Sequence, residues 1–213
     1  MQEVKKMVSK SHPGIILRAI PGHFVTPSSH INYYLDMSML KARQSEALEA
    51  AKAMADAYVA TTVVDTIVCM EGCEVIGAYL AEQLTKVGVL SMNAHKTIYI
   101  TSPEINTAGQ MIFRENLQPM IRDKHVLLLL ATATTGNTMA RALDSINYYG
   151  GTITGISAIF SAVSKVHNVP VNALYTMADI ADYKMSSADL CPLCKEGKPI
   201  DAIANGYGYS LIQ

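Results

Sequence analysis

Val126 to Leu130 is an unbroken apolar run, flanked by His125 and by a segment of small residues. Continuous apolarity over this length is the pattern of a strand covered on both faces, so it predicts a buried central strand. Ala131-Thr132-Ala133-Thr134-Thr135-Gly136 reads as a loop, and a helix is predicted from near Asn137 to the Gly150-Gly151 pair. Leu40, Ala47, Leu48, Ala51, Met54, Ala55 and Tyr58 fall on one stripe, which predicts an amphipathic helix from 39 to about 58. Strands are predicted at Val63 to Cys69, Thr97 to Thr101, Thr152 to Ile159 and Val171 to Thr176, and the less regular 102–124 reads as a long loop with a short strand at Met111 to Arg114. A helix is expected from about Glu74 to Lys86 and a short one over Ser161 to His167. The first 23 residues read as a short helix and a turn through Pro13-Gly14 and Pro21-Gly22, followed by two extended pieces around Pro27-Ser28-Ser29. From Asp182 onward the chain is rich in turn signals and reads as a tail.

Strands that alternate with helices predict an α/β protein with a parallel sheet. Ligands in such sheets sit at the C-terminal ends of the strands, so loops 69–74, 102–110 and 131–137 are expected to converge on one crevice. The third loop is the most informative. A strand, a hydroxyl- and Gly-containing loop and a helix N-terminus together make a phosphate cradle. The first helical amides lack intrahelical partners, the dipole is positive there, and Thr hydroxyls add donors. The same residues also fit an ordinary βα turn with N-caps.

Composition narrows the function classes. With 213 residues, 50% of them hydrophobic, the chain has ample material for one core. A net charge of −1 argues against a nucleic-acid or membrane-binding surface, and no apolar stretch reaches membrane-spanning length. The lysines near the N-terminus are not followed by an apolar segment, so the start does not read as a secretory signal and a cytoplasmic location is expected. Cysteines occur at 69, 73, 191 and 194. A disulfide framework is not expected in the cytoplasm. Cys191-Pro-Leu-Cys194 has the spacing of half a zinc site or of a redox pair, and equally of two unrelated structural cysteines. His23 and His30 read as surface residues.

Four segments carry a family resemblance. They are Gly22-His23-Phe24-Val25 through Tyr33-Tyr34-Leu35-Asp36; Cys69-Met70-Glu71-Gly72-Cys73, followed by a helix with Leu80-Ala81; Val126 to Thr138, ending in Thr134-Thr135-Gly136-Asn137-Thr138; and Cys191-Pro-Leu-Cys194-Lys-Glu-Gly-Lys-Pro. Together they resemble the type I phosphoribosyltransferases, most closely the orotate branch. The resemblance implies a parallel-sheet core at about 37–181 with a small hood and tail from about 1–36 and 182–213, all in a single domain over 1–213. It implies a homodimer and a phosphorylated ribosyl ligand, phosphoribosyl diphosphate or a nucleotide. Thr132, Ala133, Thr134, Thr135, Gly136, Asn137 and Thr138 would hold its 5′-phosphate, Glu71, Gly72 and Cys73 would form the pyrophosphate loop, and Phe24, Tyr33 and Tyr34 would meet the base, although the same three residues equally fit a strand's packing face. Mg²⁺ is the cofactor it brings with it.

The departures from the family pattern are as informative. Leu130 and Ala131 stand where the family signature has two adjacent acids for the ribose hydroxyls. Ser102 to Gln110, in the place of the catalytic flexible loop, has no basic residue and one acid. Ser161-Ala162 aligns with an Asp-Arg pair that reads the orotate carboxylate. A departing diphosphate needs positive groups, and each lost electrostatic contact commonly costs about 10²–10³ in rate. Arg114, Arg122, Lys124 and Lys96 are the candidates for that charge, unless they are solvated surface residues. Glu71 is a candidate to replace the missing acids by binding Mg²⁺ or the ribose, unless it is a turn residue near a helix N-terminus, where a carboxylate is favoured anyway. No catalytic residue is assigned. The readings that follow are a transferase with an altered acceptor, a non-catalytic sensor of a phosphoribosyl ligand, and an interaction protein on the same fold.

Overall fold

The computed structural model describes residues 3–9, 12–86, 91–94, 96–107, 109–134, 136–180 and 182–212. In chain order these form β1 (Lys5–Val8), β2 (Ile16–Val25), β3 (His30–Asp36), α1 (Ser38–Ala42), α2 (Gln44–Ala55), β4 (Thr66–Cys69), α3 (Glu74–Thr85) and β5 (Tyr99–Thr101). There follow β6 (Glu104–Ile105), β7 (Met111–Ile112), β8 (His125–Ala133), α4 (Asn137–Tyr148), β9 (Thr152–Ser161), β10 (Lys165–Val166) and β11 (Val169–Thr176). The C-terminal segment adds β12 (Met185–Ser186), α5 (Pro192–Lys195), β13 (Ala202–Ala204) and β14 (Tyr209–Leu211).

The core is the expected parallel sheet, ordered β10-β11-β9-β8-β4-β5, with only the short β10 antiparallel to its neighbour. Strand β8 runs through its middle. Val126 to Leu130 are fully buried because successive side chains enter different layers. Leu127 and Leu129 join α2 and α3 on one face, while Val126, Leu128 and Leu130 join the α4 face on the other. Each such side chain contributes about 1.5–3 kcal/mol by leaving water. Helix α4 meets its layer through Met139, Ala142, Leu143 and Ile146, spaced along one helical stripe. Helix α3 lies directly on the end of β4 because residue 77 has no side chain: a Cβ there would sit 2.5 Å from Cys69 Sγ. That close approach fixes the 69–74 loop above the sheet.

A second sheet, ordered β12-β3-β2-β13-β14, forms the hood, with β1 also pairing with β2. One edge of β2 is shared. Its first half pairs antiparallel with β1, and its last residues pair parallel with β13, Phe24 opposite Ala202 and Val25 opposite Ile203. Tyr175 ties hood to core by donating to the Ile15 carbonyl at 2.7 Å.

Several local expectations are corrected. The N-terminal segment is β-structure, not helix; β1 is an exposed edge strand without the alternation of burial that marks a half-covered strand. The helix expected from 39 to 58 is two helices, broken at Arg43, whose backbone is extended. No helix forms over 161–167, because β9 runs on to Ser161 and the Ser161 hydroxyl donates to the Val163 carbonyl at 2.6 Å. The segment after Asp182 is no loose tail, since it supplies three strands of the hood. Among the described residues no helix is long and apolar enough to cross a membrane.

Candidate functional site

Between the hood and the C-terminal ends of the core strands lies a cavity of about 320 Å³. All three loops predicted to converge contribute: Met70 and Glu71 from the first, Ile105 from the second, and Ala131, Thr132, Ala133, Thr134 and Gly136 from the third. The hood supplies Thr26, Ser28, Ile31 and Tyr34, helix α1 supplies Lys41, and the C-terminal segment supplies Tyr183, Asn205, Gly206 and Tyr207.

The floor is made by the passage from β8 into α4. Gly136 takes the left-handed conformation, φ +79°, that turns the chain into the helix, and it is the N-cap. A glycine cap has no side chain to bond the first-turn amides, and no acidic residue occupies that turn. The amides of Asn137, Thr138 and Met139 therefore keep their donor capacity, at the positive end of a 12-residue helix. Thr138 and Met139 line the cavity beside them.

Glu71 forms the adjoining wall. Glu71 and Gly72 are both left-handed, with φ of 57° and 79°, which makes a tight turn at the end of β4. Glu71 Oε2 accepts from the Thr132 amide at 3.0 Å and from Thr132 Oγ1 at 3.3 Å. Burial pushes the Glu71 carboxyl above its ordinary value, against the lowering effect of the Thr132 bonds and of the Lys41 charge. A carboxylate thus stands at the end of β8 beside Ala131, although β8 itself carries no acid there. Lys41 Nζ donates to the carbonyls of Glu71 and Gly206, both at 2.8 Å, and so fastens the turn to the C-terminal segment.

Aromatic side chains complete the lining. Tyr34 packs against Tyr209 with centroids 4.8 Å apart, and Phe160 against Tyr183 at 5.3 Å. Burial, with the nearby acids Asp36 and Glu71 and with Tyr209, pushes the Tyr34 hydroxyl up to about 12. It stays protonated and able to donate at neutral pH.

The cavity gathers some of the sequence candidates and not others. Thr132, Ala133, Thr134, Gly136 and Thr138 line it, Asn137 begins α4 as an exposed residue outside the lining, and Thr135 lies outside the described residues. Glu71 is on the wall, while Gly72 is not and Cys73 is fully buried among the helices behind it. Of the three aromatic candidates only Tyr34 reaches the cavity. Phe24 packs behind it at 5.8 Å, and the Tyr33 hydroxyl accepts from Lys5 at 2.6 Å instead. None of the four proposed cations lines the cavity. Arg114 is bonded to Glu104 on the exposed β6–β7 hairpin, and Arg122 and Lys96 are exposed. The lysine that does reach it, Lys41, was missed, because on an amphipathic helix a lysine next to the apolar stripe has no distinguishing signal. His23 is not a surface residue: it is 2% exposed. Cys191 and Cys194 have His23 and His30 as neighbours, not Cys69 and Cys73.

No family model matches the chain. The orotate phosphoribosyltransferase of Chlorobaculum parvum is 26% identical over 186 residues, covering 86% of this chain and 87% of that enzyme. Among solved structures, orotate phosphoribosyltransferase of Mycobacterium tuberculosis in complex with Fe(III) dicitrate superposes with a TM-score of 0.53 at 15% identity. It covers 78% of this chain and 93% of that one. The same enzyme in complex with 5-phospho-α-D-ribosyl 1-diphosphate gives a TM-score of 0.51 at 13% identity, covering 68% and 82%.

Proposed function

Since the chain is an orotate-phosphoribosyltransferase-like member of the type I phosphoribosyltransferase family, we propose that its cavity binds a 5′-phosphorylated ribosyl ligand, phosphoribosyl diphosphate or a nucleoside monophosphate. The observation that carries this reading is the uncapped first turn of α4 opening into a cavity that aromatic side chains also line. The phosphate would take the Thr138 and Met139 amides with the hydroxyls of Thr134 and Thr138. The ribose diol would meet Glu71, the one carboxylate on the wall among the described residues, and the base would pack by Tyr34 and Phe160. The M. tuberculosis relative holds phosphoribosyl diphosphate on the same fold, and this supports the assignment.

Binding is proposed here as the main activity, with transfer chemistry weakened. Among the described residues the charged side chains on the cavity wall are Lys41 and Glu71, and the Lys41 ammonium already serves two backbone carbonyls. A diphosphate leaving group would gain little from it. Mg²⁺ fits this wall only as an ion carried by the ligand's phosphates, with Glu71 as the single protein carboxylate within reach, a donor set that Mg²⁺ accepts. When bound it would neutralise phosphate charge. The second reading, transfer to an altered base, is favoured by Glu71, whose carboxylate stands beside the positions of the two missing acids.

We read the hood, core and tail segments as one functional unit. A homodimer in the cytoplasm belongs to the same proposal, supported by the family and by four free thiols. Calorimetric titration with phosphoribosyl diphosphate and with orotidine 5′-monophosphate, each with and without Mg²⁺, tests it. Saturable binding of either at one site per chain is expected. Absence of binding to both overturns the proposal. Pyrophosphate release across a panel of bases separates the two readings.

A further inference from the structure

We propose that His23, His30, Cys191 and Cys194 form a structural Zn²⁺ site that clamps the C-terminal segment to the hood. The four ligand atoms come from two distant parts of the chain and lie within 4.8 Å of one another. His23 Nε2 is 3.0 Å from His30 Nδ1, both sulfurs are 3.6 Å from His23 Nε2, and Cys194 Sγ is 3.3 Å from His30 Nδ1. A tetrahedron built with ordinary Zn–N and Zn–S bond lengths has edges of about 3.3 Å between nitrogens and about 3.6 Å between nitrogen and sulfur. These four of the six separations fall within about 0.3 Å of those edges, and all six lie within 4.8 Å.

The surroundings favour a cation over a hydrogen-bonded cluster. His23 Nδ1 lies 3.1 Å from the carbonyls of Lys198 and Pro199. A carbonyl only accepts, so Nδ1 carries the proton and the lone pair of Nε2 points into the cluster. This is the outer-shell arrangement that orients a metal-bound imidazole. Without a metal, His30 and two thiols would compete as donors for that one lone pair. A single Zn²⁺ satisfies all four atoms at once.

The local backbone is built for the same purpose. His23 and His30 stand on neighbouring strands, β2 and β3, joined by the Thr26–Ser29 turn, in which the Thr26 amide donates to the Ser29 carbonyl at 2.8 Å. Cys191 caps the four-residue α5, and the Gly197 amide donates to the Cys194 carbonyl at 3.0 Å, closing a compact knuckle around the two sulfurs. His23 and Cys191 are each 2% exposed, whereas Cys194 is exposed and gives a metal an entry path. Residues 192–200 are mostly exposed, and the next tie to the hood is Asp201, whose amide donates to the His23 carbonyl at 2.8 Å and whose carboxylate accepts from the His23 amide at 2.7 Å.

The test uses the full chain without a polyhistidine tag, expressed with added zinc, desalted, and measured by mass spectrometry for metals. One zinc per chain is expected. Chelator-stripped protein titrated with Co²⁺ is expected to show intense tetrahedral d–d bands and thiolate-to-cobalt charge transfer. Cys194→Ser, at an exposed position that the fold tolerates, is expected to lower the charge-transfer intensity by about half, since one of two sulfur ligands is lost. Zinc-free wild-type protein whose Co²⁺ titration lacks thiolate bands would overturn the proposal. So would a thiolate spectrum left unchanged by Cys194→Ser.

Discussion

Gly206→Ala measures how firmly Glu71 is held between two segments of the chain. A Cβ at residue 206 would lie 2.5 Å from Glu71 Oε1 and 2.7 Å from Cγ, distances that no ordinary contact tolerates. The backbone at 206 is not left-handed, so the effect is one of space alone. Two responses are open to the molecule. The carboxylate can move away and forfeit its bonds from Thr132, and a hydrogen bond to a charged group is worth about 1.5–3 kcal/mol. Alternatively the 205–207 backbone can shift, at the usual overpacking cost of about 1–3 kcal/mol, while loosening the Lys41 bond to the Gly206 carbonyl. Either route predicts a loss near 2 kcal/mol, about 30-fold in the unfolding constant. The chain has no Trp, so urea unfolding is followed by far-UV circular dichroism. The decisive comparison is a double-mutant cycle. In a Glu71→Ala background the three nearest atoms to the added methyl are gone, and it should cost less. If Gly206→Ala costs the same in both backgrounds to within about 0.5 kcal/mol, the two residues are uncoupled and the reasoning fails.

Three further expectations follow from other contacts. Because burial raises the Glu71 carboxyl above its ordinary 4.5, the folded state keeps a proton that the unfolded chain releases. The associated stability is complete below the unfolded value and is lost as pH rises through the folded one. Glu71→Gln cannot ionise, so its stability relative to wild type should climb from about pH 4.5 toward neutrality; parallel urea-midpoint profiles would refute this. Gly136→Ala forces a side chain into the left-handed region, while its methyl would meet Val166 only at an ordinary 3.4 Å. Unfolding should show a loss of about 1–2 kcal/mol, with Gly136→Asn milder. Tyr58→Phe removes a hydroxyl that donates to the Ile156 carbonyl at 2.8 Å and accepts from Asn172 at 3.0 Å. Calorimetry should show a Tm lower by about 2–8 °C, for a loss of about 1–2 kcal/mol.

What could be read from the sequence divides along physical lines. The core sheet was legible because β8 is buried on both faces and must be apolar throughout, and because α4 shows its buried stripe at helical spacing. The family and the fold class followed from segments whose chemistry is local: a strand, a hydroxyl-rich loop and a helix start. The hood was misread where its order comes from afar. Lys5–Val8 has no periodicity of its own and is a strand only because β2 offers an edge. Ala202–Ala204 looks like tail until Phe24 and Val25 provide its partners. The Cys191 and Cys194 spacing was visible, but its histidines lie more than 160 residues away, and nothing short of the fold could pair them. Lys41 and Gly206 meet Glu71 by the same long-range closure.

The edge of β2 that waits for β13 has a consequence in time. The N-terminal strand that bears His23 and Phe24 is synthesised early, and its partner around Ile203 emerges only after the whole core. At translation rates of about 5–20 residues per second that gap is about ten to forty seconds. Throughout it, the lower half of β2 presents unpaired amides and carbonyls, and the cavity has no wall at 204–207. The parallel core can assemble during this interval. A ligand-competent pocket then forms only after the core, and chains stalled before Ala202 would present an open strand edge instead of a binding site.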